Sequence, residues 1–97
     1  MWQDNLKKSI QEEIRELACE HGIEKVILFG SRARGDHKER SDIDLAISGG
    51  NTAAFAVDAD ERIRTLLMFD VVNLDGPVQP ELLASIEKEG KILYEKV

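Results

Sequence analysis

The sequence predicts an α/β (α+β) domain: a small mixed sheet of about four strands with helices packed on it. Three observations predict it. Apolar residues recur at helical spacing near the start, short apolar runs read as strands, and glycine-containing breaks separate the segments. The resulting order is helix, strand, loop, strand, helix, strand, helix, strand, which describes one sheet with helices laid against it.

Each element has its own justification. Leu6, Ile10, Ile14 and Leu17 recur at spacings of four, four and three, lining one face of a helix over roughly residues 3–20 with Glu13 exposed. His21-Gly22 ends it, because Gly22 suits a left-handed C-terminal cap, and His21 is stabilised there by the helix dipole. "KVILF" (25–29) is a short buried strand, a polar segment covers 30–41, and "DIDLAIS" (42–48) is the second strand. "GGN" (49–51) breaks the chain before a helix over 52–67, in which Phe55, Ile63, Leu66 and Leu67 share a face. "LMFDVVNL" (67–74) reads as the third strand and "DGP" as a turn. A helix over 78–89 then turns Leu82, Leu83 and Ile86 inward, Gly90 stops it, and "KILYEKV" (91–97) closes as the fourth strand. No repeat, linker or low-complexity tract interrupts this order.

At 97 residues, with 42% hydrophobic and 33% charged residues, residues 1–97 are expected to form a single domain with one core. No apolar run approaches the ~18–20 residues that span a membrane, and the N-terminal segment lacks the pattern of an export signal. Cys19 is the sole cysteine, so there is no disulfide framework, and its helical setting predicts a buried structural thiol. A cytoplasmic location fits. The formal charge of −6 argues against broad contact with nucleic acid phosphates. Between Lys25 and Arg40, however, five basic residues (Lys25, Arg32, Arg34, Lys38, Arg40) face two acidic ones (Asp36, Glu39). Such a segment is either a solvated loop or a seat for a polyphosphate.

The chemistry concentrates at Asp42 and Asp44. In a strand, residues i and i+2 project from one face, ~6.6–6.8 Å apart, leaving Ile43, Leu45 and Ile47 for the core. Asp70 interrupts the third strand, and lies across from the pair if that strand runs beside the second. Carboxylates ~4 Å apart at an effective dielectric of ~20 repel by about 4 kcal/mol per pair. A cation relieves this, or one acid takes up a proton. Oxygen ligands without Cys or His point to Mg²⁺ or Mn²⁺, held by few protein groups and by substrate phosphate, in the manner of two-metal displacement at phosphorus. A carboxylate not fully engaged by metal can act as general base on a hydroxyl. Gly30 ends the first strand where backbone must approach a ligand. Ser31 offers its hydroxyl and N–H to a phosphate at the start of a short helix, Arg32 and Arg34 add charge, and Gly35 lets the chain turn.

"GSRARGDHKERSDID" is Gly-Ser, ten residues, then Asp-x-Asp, which resembles the signature of the DNA polymerase β-like nucleotidyltransferase superfamily. Over nearly the whole length, through "VILFGSRARG", "SDIDLAI", "FDVVNL" and "EGKILYEK", the chain is similar to minimal nucleotidyltransferases (MNT proteins). The resemblance implies that Asp42, Asp44 and Asp70 carry the divalent metals, with Asp70 as base. It implies that Gly30 and Ser31 hold the nucleoside triphosphate with Arg34 close by. It also implies an antitoxin that moves AMP from ATP onto a tyrosine of a HEPN-domain RNase toxin, in a hetero-oligomer with it or as a homodimer alone. Asn73 stands where many relatives carry another acid.

Other readings stand beside these. The protein is alternatively a non-catalytic antitoxin that neutralises its partner by binding, or a transferase acting on an aminoglycoside-type small molecule. Arg34 can instead pair with Asp36 or Glu39. Arg32, Lys38 and Arg40 read as solvated loop charges, His37 as an exposed loop histidine, and Asp58, Asp60 and Glu61 as a solvated helix start. Trp2 and Tyr94 are either partner anchors or core residues.

Overall fold

The computed structural model describes residues 2–96, the side chain of residue 2 excepted; the suggestion that Trp2 anchors a partner therefore lies outside the described residues. A 3₁₀ turn, Trp2–Asn5, precedes helix α1 (Lys8–Glu20). Then follow β1 (Lys25–Phe29), the short helix α2 (Ser31–Arg34), β2 (Ile43–Ser48), α3 (Thr52–Arg62), β3 (Phe69–Asn73), α4 (Pro80–Glu89) and β4 (Lys91–Glu95). The strands form one mixed sheet in the order β3-β2-β1-β4. β1 is antiparallel to both β2 and β4, whereas β3 runs parallel to β2, as a strand reached through a crossover helix can.

The two faces of this sheet are covered by different helices. On one, Leu6, Ile10, Ile14 and Leu17, at the spacing expected of α1, join Phe55 and Ala59 of α3 against Val26, Leu28, Ile43, Leu45 and Ile47. On the other, Ile86 and the half-buried Leu82 of α4 meet Phe29 and Ala46. The alternation read in β2 holds: Ile43, Leu45 and Ile47 are fully buried. Gly22 adopts φ +68 just after α1, a conformation in which a Cβ is strained.

Several expectations need correction. The first helix starts at Lys8, because the preceding turn is held by side chains: the Gln11 amide donates to the Gln3 and Leu6 carbonyls, and Asn5 donates to the Arg32 carbonyl. The helix expected over 52–67 stops at Arg62, where Ile63 turns extended (φ −78, ψ 127). Beyond it the Arg64 N–H donates to Glu13 and the Leu67 N–H to the Thr65 hydroxyl, so the local bonds no longer follow a helix. Leu66 is wholly exposed; the apolar spacing that suggested a common face spanned a helix and a loop. The last helix begins at Pro80 after extended Gln79, proline being suited to a first helical turn and not to its interior, and Leu83 is exposed. The fourth strand ends at Glu95. Cys19 is exposed instead of buried, since it lies off the stripe formed by Ile14, Leu17 and Ala18.

Candidate active site

β1 delivers the chain to Gly30 at the end of the sheet, beside the start of β2. Phe29 pairs with Asp44 across the antiparallel ladder, so the next residue turns directly over the Asp44 side chain. Gly30 takes φ +74, and a Cβ there would collide with the Asp44 carboxylate. Only glycine fits both conditions. Ser31–Arg34 then form the single helical turn α2, whose Ala33 and Arg34 N–H groups donate to the Gly30 carbonyl at 3.1 Å.

From the other side comes β3. Asp44 and Asp70 are direct register partners in the parallel β2–β3 pair. Strands ~4.8 Å apart with matched registers project paired side chains from the same face. Asp42 sits one residue before β2 and is exposed. Asp44 senses the other two acids: its carboxyl is pushed up to about 6, first by burial, then by repulsion from Asp70 and Asp42, with Arg34 acting in the opposite direction. Asp44 is half-buried, whereas Asp70 is exposed. Among the described residues no three His, Cys, Asp or Glu side chains converge tightly enough to hold a metal by themselves. The hard oxygen donors and their mutual repulsion still suit a divalent cation completed by other oxygens.

The two arginines of α2 diverge. Arg32, expected as a solvated charge, is buried and lowered in pKa by that burial. Its guanidinium donates to three carbonyls: Asn5 at 2.9 Å, and Ser41 and Glu39 at 3.1 Å. It ties the loop ahead of β2 to the N-terminal turn. Arg34 is exposed and pairs with Asp36 at 3.0 Å and with Glu89 of α4 at 2.9 Å. Of its anticipated ion-pair partners, Asp36 is present; Glu89 replaces Glu39. Both raise the Arg34 pKa, Asp36 first.

Two grooves of about 550 Å³ are lined by residues of this region, one reached by Asp42 and the other by Arg34. One lies between α2 and α4 and carries Arg34, Lys88 and Lys91. The other lies at the β3 side and carries Asp42 with the exposed Leu66 and Met68. The sequence places Leu66 on the apolar face of the helix expected over 52–67 and Met68 in the third strand, and assigns neither to the site, since an apolar residue in such a stretch reads as core by default.

Away from this end, His21 Nε2 donates at 2.7 Å to the Asp58 carboxylate instead of facing only the helix dipole, and that bond is the largest influence lowering the Asp58 pKa. Asp58, Asp60 and Glu61 occupy the second half of α3, not its start. His37 is half-buried, with its Nδ1 buried and unpartnered. Asn73 is exposed, its side chain accepting from the Asp75 N–H. Tyr94 packs partly buried against the main core.

The class follows from fold and family together: residues 12–97 match the family described as Polymerase beta, Nucleotidyltransferase, and the chain belongs to that family. It is a nucleotidyltransferase. Along 93% of its length, and 99% of the relative's, it is 34% identical to a Methanocaldococcus jannaschii protein provisionally named a protein adenylyltransferase. Its fold is similar to that of a toxin–antitoxin crystal structure with AMP-PNP, at TM-score 0.72 and 22% identity over 89% of this chain and 73% of that one. It also resembles a solved structure described provisionally as a minimal nucleotidyltransferase, at TM-score 0.65 and 28% identity over 84% of this chain and 86% of that one. Among the described residues no helix is long and apolar enough to cross a membrane.

Proposed function

We propose that this nucleotidyltransferase moves AMP from ATP to a tyrosine hydroxyl of a HEPN-type toxin, and so acts as a cytoplasmic antitoxin. One observation carries the reading: Asp70 is in register with Asp44 on the face where the Gly30 turn closes against Asp44. The adenylyltransferase name of the M. jannaschii relative and the toxin–antitoxin partnership of the structural relative support the choice of acceptor.

In this reading Asp42, Asp44 and Asp70 hold Mg²⁺ or Mn²⁺, which supplies charge neutralisation at the phosphates. Gly30 brings backbone against the triphosphate, Ser31 donates to it, and Arg34, now shared with Asp36 and Glu89, turns a guanidinium toward it. Asp70, the more exposed member of the register pair, takes the proton from the acceptor hydroxyl. The hydroxyl oxygen bonds to the α-phosphorus as the bond to the β-phosphate oxygen breaks. AMP stays on the acceptor, and pyrophosphate leaves.

Incubating the protein with a HEPN toxin encoded beside it, ATP and Mg²⁺ should raise the toxin's mass by about 329 Da for each AMP. Asp42→Asn with Asp44→Asn should abolish the gain. Toxin neutralisation that persists in that double variant points instead to inhibition by binding. Modification of an aminoglycoside and of no protein points to a small-molecule acceptor.

A further inference from the structure

The sheet order places the two grooves on opposite sides of the carboxylates. Gly30 follows β1 and Met68 precedes β3, and these strands flank β2 on either side. The groove by α2 and α4 is net cationic, with Arg34, Lys88 and Lys91 against Glu89, which pairs with Arg34. The groove on the β3 side is different. Met68 is 64% exposed and Leu66 fully so, yet both line a concavity shared with Lys7, Glu39, Arg40 and Asp42. The Met68 carbonyl accepts from the Ile43 N–H at 2.9 Å, fixing this stretch directly alongside the aspartates. Lys7 and Arg40 make no ion pair among the described residues.

In-line transfer at phosphorus requires the attacking and leaving oxygens on opposite sides of the transferred group. If the triphosphate, held at Gly30 and Ser31, runs toward Arg34 and the groove by α2 and α4, the acceptor must enter from the β3 side. We propose that the groove lined by Leu66, Met68, Lys7 and Arg40 is the acceptor-docking surface, and that it takes a polypeptide segment presenting its hydroxyl beside an apolar side chain. This rests on the transferase reading above. An apolar lip is matched by a side chain such as leucine. The Lys7 and Arg40 charges are offset by Glu39 and Asp42 in the same groove, and the chain carries −6 overall. That balance disfavours a nucleic acid backbone, which needs a net cationic track.

The test titrates isotope-labelled protein with three probes and follows its backbone amides by NMR. The probes are a short peptide containing Leu-Tyr, the same peptide with serine replacing the leucine, and single-stranded oligoadenylate. The leucine peptide should shift the amides of Leu66, Met68, Lys7 and Arg40 and leave the α2 amides in place, whereas ATP with Mg²⁺ should do the reverse. Leu66→Ser with Met68→Ser, both at exposed positions where folding is little affected, should weaken the peptide by about tenfold or more and leave ATP affinity unchanged. In the transfer assay the same variant should raise KM for the acceptor more than it lowers kcat. Peptide shifts confined to another face, equal binding by the serine peptide or the double variant, or preference for oligoadenylate would each overturn the proposal. Loss of transfer to every hydroxyl, with peptide binding at this groove intact, would count against the transferase reading and leave the docking surface standing.

Discussion

On the face of the sheet covered by α1 and α3, Ile43, Leu45 and Ile47 are fully buried. On the opposite face the same strand shows a half-buried Asp44, with Asp70 exposed beside it in register. The strand alternates, so one backbone presents both surfaces. What separates them is coverage: two helices seal the first face, while the shorter α4 packs Ile86 over Phe29 and Ala46 and leaves the carboxylate end open. Stability and chemistry are thus divided between sides of a single sheet, and substitutions on the two sides should fail in different ways.

The sharpest break concerns the open face. Asp44→Asn is expected to lower AMP transfer by about 10³-fold or more, equivalent to ~4 kcal/mol of barrier, with the fold intact. Because burial, and then repulsion from Asp70 and Asp42, disfavour the native carboxylate, the melting temperature should stay level or rise. A drop in melting temperature parallel to the loss of activity would show that the residue is structural. On the sealed face the signs reverse. Phe55 is fully buried in the main core, and Phe55→Ala should cost about 3–5 kcal/mol. At ~4–8 °C per kcal/mol for a domain of this size, the melting temperature should fall by roughly 12 °C or more. Calorimetry of the two variants side by side decides whether the division holds.

How far this division could be read from the sequence depends on the range of the contacts involved. Alternation within β2 is local, so the inward set Ile43, Leu45 and Ile47 was legible, as was the glycine at the turn. The register of Asp70 with Asp44 was legible only on condition that the third strand runs beside the second, and the parallel pairing meets that condition. Arg32 was not legible. Its acceptors lie on Asn5, Glu39 and Ser41, carbonyls that no side-chain pattern announces. Glu89 is 55 residues from Arg34 and meets it only because α4 covers that end of the sheet. The stretch from Ile63 to Leu67 misled because apolar spacing is the same signal whether or not the backbone stays helical.

The two arginines of α2 carry the comparison to a smaller scale. Arg32→Ala strips three carbonyls of their donor and should destabilise by about 2–3 kcal/mol, read as a shift in the urea midpoint. Arg34→Ala removes only solvent-exposed ion pairs and should leave the urea midpoint nearly unmoved, and should instead weaken ATP binding. Equal destabilisation by both would mean that the Asp36 and Glu89 pairs hold the α2–α4 contact, and that Arg34 is not kept for phosphate.

The smallest expected effect is a pH dependence specific to the open face. Asp44 titrates at about 6 against an ordinary value of 3.8, so between those values the folded protein binds more protons than the unfolded chain. Stability contributed by this group therefore falls as pH rises through that window and levels off above it. Asp44→Asn should flatten that component, and the difference in melting temperature between the two proteins, followed from pH 4 to 7, isolates it from other acids. Divalent cation binding favours the carboxylate and should draw the titration to lower pH. The Asp44 carboxyl resonance checks both statements directly. A midpoint near 4 in metal-free protein would mean that neither burial nor the charges of Asp70 and Asp42 raise Asp44, and the repulsion from which the metal assignment was argued would be missing.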